Sequence, residues 1–567
     1  VIKRDVLDVP LRGGTSIMPF KETKKICCHV LVIGGGGAGL KAAIAAKEMG
    51  ADVLLASKTR IGYGNNTYIS KATLSATGWG NSPDNVLMHV KDTLKGGRYL
   101  NDPGLVDRMA EDAPGQIAFL ERCGVPFMKK EDRMWLDHHP GHSYPRSVRA
   151  AHRTGSDLML PLRAYAKKLG VRFADRVFIT KLFMSRERIA GATGIADDGT
   201  FVNFVSHCVI LATGGYSHVY LHTNNAPGIS GDGQALAFDL GVPLKDMEFV
   251  QFYPTAMGKF GSRLLLYEVF VVHGRAQIKN VRGEDIIIKH GLEDPMVMTR
   301  DRLSRALMQE ITEGLGVEGG VSMDLSGIPE NKTAHLRDLL PFRWFRGERI
   351  FTVTPTTHFC MGGVEINKEA ETSVPGLFAA GEVCAGVHGA NRLSGNALSE
   401  VFTMGGVAGR SAARRSKELG PPEMPGQEVA DERARLTSAF STKGEHPKSL
   451  CRLLKESMWN KGGIVRDHKG LEEALGQIEE IRSRAQHSLV EKPRDLAMRL
   501  ELQNRLLIAE MICRSALVRE ESRGAHYRRD FPEEDNRGWL KNNVVVKGGT
   551  GMRTESVPVD LAGFDLE

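Results

Sequence analysis

The run Gly34-Gly35-Gly36-Gly37-Ala38-Gly39 stands between an apolar stretch, CHVLVI, and a helical pattern, LKAAIAAKEM, which Gly50 closes before a second apolar stretch, DVLLAS. This order dictates a βαβ unit, because two parallel strands must be joined by a crossover and the intervening pattern is helical. Within it, Gly34-x-Gly36-x-x-Gly39 has the spacing of a dinucleotide fingerprint: the first glycine turns tightly, the second admits a pyrophosphate, and the third lets helix pack on strand. The amides of Gly37 and Ala38 and the positive helix end then face phosphate charge. The second strand ends in Ser57-Lys58 rather than in an acidic residue, so a ribose contact there is expected from a hydroxyl or backbone group. Two later segments fit the closure that a large flavin dinucleotide needs and a diffusing nicotinamide does not. They are Thr213-Gly214-Gly215, ending the strand pattern HCVILATGG, and VPGLFAAGEV with Gly381-Glu382. FAD is therefore the expected cofactor.

A chain of 567 residues is too long for one ordinary core, and its patterning divides it. Alternating strands and helices run to about 242, and a segment with no second fingerprint occupies 243–350. Glycine-rich alternation resumes over 351–420. The predicted architecture is a discontinuous α/β FAD-binding Rossmann-like domain (1–242 and 351–420) with an inserted α+β capping domain (243–350). Beyond Pro421, Pro422 and Pro425 the spacing of Leu471, Leu475, Ile478 and Ile481, and of Leu496, Leu500, Leu507 and Met511, predicts a helical domain over 421–545. A tail, 546–567, follows.

Composition excludes several classes. The net charge of +7 is mild for this length and spread along the chain, which implies attraction of anions rather than nucleic-acid binding. No apolar run reaches the roughly 18 residues of a bilayer span, and the first twenty residues lack a signal-peptide core, so a soluble chain is expected. The eight cysteines are scattered without any CxxC, which speaks against an iron–sulfur cluster or structural zinc in this chain. His138, His139 and His142 in DHHPGH have no partner cluster and read as a polar loop, and no metal site is expected.

Four long motifs carry a resemblance: SGDGQALAFDLGVPLKDMEFVQFYPTA (230–256), TPTTHFCMGGV (354–364), VPGLFAAGEVCAGVHGANRLSGNALSE (374–400) and ESRGAHYRRDFPEED (521–535). Together they resemble the flavoprotein subunit of succinate dehydrogenases and fumarate reductases, a family that includes the L-aspartate oxidases. The likeness runs from about residue 28 to 545 in the family's order. It implies an FAD-dependent oxidoreductase acting on a CH–CH group, with hydride passing between flavin N5 and one carbon of a double bond while a proton reaches the other. It implies His358 and Arg392 as carboxylate-binding residues, Arg300 as the proton-transferring arginine of the cap, and Glu268 as the cap-domain acid. For the cofactor it implies Ser57, Lys58, Asn66, Thr67, Ser70, Thr213, Gly214, Asp232, Glu382, Asn396 and Leu398 beside the glycine loop. The residue types suit this chemistry, because a guanidinium fork matches a carboxylate and cations make a conjugated carbon more electrophilic toward hydride.

The sequence departs from the family where a second carboxylate and the proton relay would sit. Tyr253 replaces a histidine in QFYPT, Tyr267 replaces a threonine before Glu268, and Val271 replaces a relay arginine. Arg263, His273 and Arg275 are candidate substitutes. The leading expectation is fumarate reduction or succinate oxidation; the alternatives are a bulkier succinate-like acid lined by Tyr253 and Tyr267, or aspartate oxidase chemistry. A reduced flavin must pass on its electrons to oxygen, to a soluble acceptor or to a separate iron–sulfur subunit, and the iron–sulfur partner is the favoured expectation. The protein is then cytoplasmic, or peripheral at the inner face of the membrane through partners. In GNNTYISKA, Asn66 occupies the place where many relatives carry the histidine that bonds covalently to the flavin, and asparagine cannot form that bond. The flavin is therefore expected to be held noncovalently, which in this family tilts the reaction toward reduction of a double bond.

Overall fold

The computed structural model describes residues 20–80, 83–257, 267–272, 274–294, 298–329, 347–549 and 551–561, apart from the side chains of 268 and 269. Its centre is a seven-stranded sheet. The strands Arg172–Asp175, Val53–Ser57, Thr23–Ile33 and Phe201–Leu211 run parallel in that order, and Arg188–Ala196 and Val177–Ser185 continue antiparallel. The short strand Leu377–Ala379 pairs with the far half of Phe201–Leu211, so the chain returns to this sheet after the inserted segment. Val30, Leu31 and Val32 are fully buried, as parallel strands covered on both faces require.

The helix Gly37–Glu48 packs against the long helix Asn396–Leu419, and both are built of alanine and glycine where they meet. The approach is backbone to backbone: a Cβ on Gly409 would lie 2.3 Å from the carbonyl oxygen of Ala42. This close packing brings the N-termini of both helices to the same end of the sheet.

The inserted segment forms its own antiparallel sheet, in the order Val250–Met257, Ile350–Cys360, Val321–Asp324 and Gln277–Lys279. The helix Arg300–Thr312 lies on it, and Leu303, Leu307, Val321, Met323 and Val353 form a core separate from that of the main sheet. Strands Val250–Met257 and Ile350–Cys360 are the paired connections between this unit and the flavin-binding unit.

C-terminally, the helices Pro447–Lys461, His468–Ala485 and Pro493–Val518 pack together. Leu471, Ile478, Ile481, Leu496, Leu500 and Met511 are buried, whereas Leu475 and Leu507 are half-buried. The charged segment following them is not a solvated surface. Arg519 donates to Glu248 at 2.7 Å, Arg523 to Glu521 at 2.8 Å and Arg528 to Asp530 at 2.6 Å, with all three arginines buried. The Arg519–Glu248 pair ties the C-terminal region to the approach of strand Val250–Met257, while the other two pairs are local. Past residue 541 the chain forms a hairpin, Lys541–Gly548 and Gly551–Pro558, whose first strand pairs with Leu244–Lys245.

Candidate active site

A cavity of about 1110 Å³ opens at the carboxyl ends of the parallel strands and runs to the inserted domain. This is the position at which open α/β sheets bind ligands, and the volume exceeds that needed by a small substrate alone. The glycine loop forms one wall. Gly34 has φ +123° and a Cβ there would lie 2.1 Å from the Ala212 carbonyl oxygen, so the turn admits no side chain. A Cβ on Gly36, by contrast, would meet nothing closer than 3.9 Å, which leaves the backbone open to an approaching ligand. Gly39 faces away from the cavity and permits helix–strand packing, since a Cβ there would lie 1.8 Å from the Gly34 oxygen. The N-termini of Gly37–Glu48 and Asn396–Leu419 both point into the space, where they favour negative charge. Space, open backbone and paired helix ends fit a flavin dinucleotide.

Of the residues expected to hold the cofactor, Gly34, Gly36, Gly37, Ala38, Ser57, Lys58, Asn66, Thr67, Ser70, Thr213, Gly214, Asp232, Glu382 and Leu398 line this cavity. Asn396 does not. It is buried behind the wall, where its carboxamide meets His89 at 2.9 Å and donates to Thr93 at 2.9 Å. The Lys58 ammonium is held by Asp232 and Glu501, each at 2.6 Å, and by Ser230 at 2.8 Å, so it links the C-terminal helices to the cavity wall. Asn66 is anchored at both ends of its carboxamide: it donates to Asn225 at 2.6 Å and to Glu382 at 3.1 Å, and accepts from the Ala226 N–H at 2.9 Å. Glu382 is buried, and burial pushes its carboxyl up to about 7, against the opposing hydrogen bonds from Asn66 and the Cys360 N–H.

At the domain junction, His358 is the extra residue of a β-bulge. Gln251 faces Phe359 and Phe252 faces Thr357, leaving His358 unmatched in the ladder and turned into the cavity. Its Nδ1 lies 3.2 Å from the Asn224 carboxamide, and Asn225 donates to its carbonyl at 2.8 Å. Arg392 is buried and fixed by Gln251 Oε1 at 2.9 Å and the Leu393 carbonyl at 3.1 Å, with its guanidinium 4.7 Å from the Phe359 ring centroid. Arg300 opens the cap helix and donates to Ser394 Oγ at 3.4 Å, which brings the cap onto the loop that carries Arg392.

Tyr253 is the hub of this end. Its ring centroid lies 5.4 Å from that of His358, 5.2 Å from the Arg300 guanidinium carbon and 5.8 Å from the Lys71 ammonium. Its hydroxyl, however, accepts the Tyr267 N–H at 3.0 Å and points into the cap. Tyr267 lines only a small adjoining pocket, and its own hydroxyl donates to the Met298 carbonyl. The side chain of Glu268, together with Arg263 and His273, lies outside the described residues. Val271 is buried in the cap core. His138 and His139 line the cavity, while His142 is buried against the Ser394 carbonyl at 2.8 Å; among the described residues no group of metal-ligating side chains comes together. Lys71, Asn224, Asn225 and Gln251 are not marked out by sequence, because each gains its place only through the fold.

The chain matches the model of the FAD binding domain over residues 29–398 and that of the fumarate reductase flavoprotein C-terminus over 452–566. It is 36% identical to an uncharacterized FAD-dependent oxidoreductase of Methanocaldococcus jannaschii, over 92% of this chain and 96% of that one. It is also 35% identical to one of the subunits of the fumarate reductase (CoM/CoB) of Methanothermobacter marburgensis, over 90% and 96%. The structure superposes on FrdA of the E. coli quinol fumarate reductase with a TM-score of 0.87, at 28% identity, covering 96% of this chain and 98% of that one. With its cavity, glycine loop and cap, the chain belongs to the succinate dehydrogenase and fumarate reductase flavoprotein family of FAD-dependent oxidoreductases.

Proposed function

We propose that this protein interconverts fumarate and succinate, with reduction of the double bond as the favoured direction, and that it exchanges electrons with an iron–sulfur partner subunit. The observation that carries the substrate reading is that His358, Arg300 and Arg392 line one cavity, with His358 and Arg300 beside the Tyr253 ring and Arg300 hydrogen-bonded to Ser394 on the loop that carries Arg392. FAD, held by the glycine loop, Asn66 and Glu382, would supply the hydride chemistry. Arg392, pre-oriented by Gln251 and excluded from bulk water, binds one carboxylate and polarises the conjugated bond. His358 donates to a carboxylate oxygen from its bulge. Arg300 delivers a proton to the carbon that does not receive hydride, and closure of the cap over it keeps water out. An arginine stays protonated at all working pH values, so its proton must be restored at once, and Glu268 is assigned that relay.

Asn66, already committed to Glu382, Asn225 and Ala226, contributes to a noncovalent cradle for the flavin. Among the described residues no helix is long and apolar enough to cross a membrane, so any membrane contact is assigned to partners. The test is anaerobic. Protein bleached by a low-potential donor recolours on adding fumarate and releases succinate. Failure to recolour excludes fumarate as acceptor, and peroxide release with aspartate in air would point to aspartate oxidation instead.

A further inference from the structure

Three cations that line the cavity, Lys71, Arg149 and Arg153, have no part in this scheme. Lys71 is half-buried and lines the cavity on the loop between the short helix Asn66–Ile69 and the strand Thr73–Ser75. Its backbone is fixed on both sides: the Ser70 carbonyl accepts the Gly155 N–H at 2.9 Å, and the Ala72 carbonyl accepts the Ala150 N–H at 3.0 Å. Ala72 itself is fully buried with φ +51°, a left-handed conformation that an alanine keeps only where its surroundings impose it. The lysine is thus presented from a rigid, strained loop, as residues of binding sites commonly are.

The ring of Tyr253 gives Lys71 its address, since it has the Lys71 ammonium at 5.8 Å, Arg300 at 5.2 Å and His358 at 5.4 Å. Strand position 253 offers no charge to a substrate, because a phenol is neutral at working pH and its hydroxyl accepts the Tyr267 N–H. Besides Arg300 of the cap helix, positive charge beside that ring comes from the loop. We propose that Lys71 is a substrate-binding residue that pairs with the second carboxylate of a dicarboxylic acid, so that the site selects dicarboxylates over monocarboxylates of equal length. This rests on the fumarate and succinate reading above and adds to it the residue that enforces the second charge.

The test uses the FAD-loaded protein and follows the flavin spectrum while titrating succinate and butyrate, which differ by one carboxylate. Wild type prefers succinate. In Lys71→Met, succinate affinity falls roughly 10- to 100-fold, as expected for loss of a charge-assisted contact, while butyrate affinity changes less than about twofold. Flavin content and flavin potential stay unchanged, and Lys71→Arg keeps most of the preference for succinate. Equal weakening of both acids, or no weakening of either, overturns the assignment. So does a flavin-loaded Lys71→Arg that binds succinate no better than Lys71→Met. Should Lys71→Met fail to load flavin, Lys71→Gln carries the same comparison. If wild type turns over fumarate and Lys71→Met is unaffected, only this inference fails. If wild type binds no dicarboxylate, the functional reading fails and takes the inference with it.

Discussion

The hydroxyl of Tyr253 accepts the backbone N–H of Tyr267 at 3.0 Å, with the two rings edge to face at 6.0 Å and both side chains fully buried. This hydrogen bond joins the strand that enters the cap to the turn that carries Glu268, and it orients the hydroxyl toward the cap. Tyr253 therefore acts on the site through its ring and through cap geometry.

Tyr253→Phe keeps the ring but strands a buried N–H, which costs about 1–3 kcal/mol. The expected result is a lower melting temperature with KM for fumarate within a factor of two of wild type. A large rise in KM with unchanged stability would place the hydroxyl on the substrate.

Gln251 holds Arg392 through Oε1 at 2.9 Å, while its Nε2 donates to the Arg392 carbonyl and to Asn391, each at 2.8 Å. It is a positioning residue. Gln251→Leu removes a hydrogen bond to a buried charge, about 1.5–3 kcal/mol, so kcat/KM for fumarate should fall roughly 10- to 100-fold, mainly through KM. Steady-state kinetics at several fumarate concentrations check this; an unchanged KM would mean that Arg392 does not depend on Gln251 for its binding geometry.

Asn66 makes three hydrogen bonds inside the cavity wall, to Glu382, Asn225 and Ala226. Acid precipitation of the native protein should leave all flavin in the supernatant. Asn66→Ala should weaken FAD binding about tenfold, near 1.4 kcal/mol, by releasing these partners. Flavin that stays with the precipitated chain would show a covalent link and refute the cradle.

The parts legible in the sequence were those set by local sterics. The glycine fingerprint was readable because Gly34 and Gly39 answer to clashes with Ala212 and with the loop itself, and helical faces such as Leu471, Ile478 and Ile481 answer to a fixed period. Long-range pairing was not legible. Arg519 and Glu248 lie 271 positions apart, so their burial as a pair cannot be read from the charged run itself. His358 was found through its motif, but the bulge that turns it inward depends on the register between two strands that flank the whole cap. Lys71 was invisible for the same reason, since its meaning comes from Tyr253 across the domain junction.

Glu382 makes stability depend on pH in a direction opposite to that of a paired surface carboxylate. Burial raises its pKa from 4.5 to about 7, with the hydrogen bond from Asn66 the largest opposing influence. The folded protein thus holds this proton more tightly than the unfolded chain does. The resulting stability is present in full below pH 4.5, and it is lost as pH rises through 7. The difference corresponds to about 3 kcal/mol. Asp246, also raised by burial to about 7, adds a similar slope of its own. Comparing wild type with Glu382→Gln cancels that background. In flavin-free protein, denaturant unfolding across pH 4.5 to 8 should show Glu382→Gln gaining about 3 kcal/mol on wild type from the acid to the alkaline end. Parallel curves would mean that Glu382 ionises as an ordinary carboxylate in the absence of flavin.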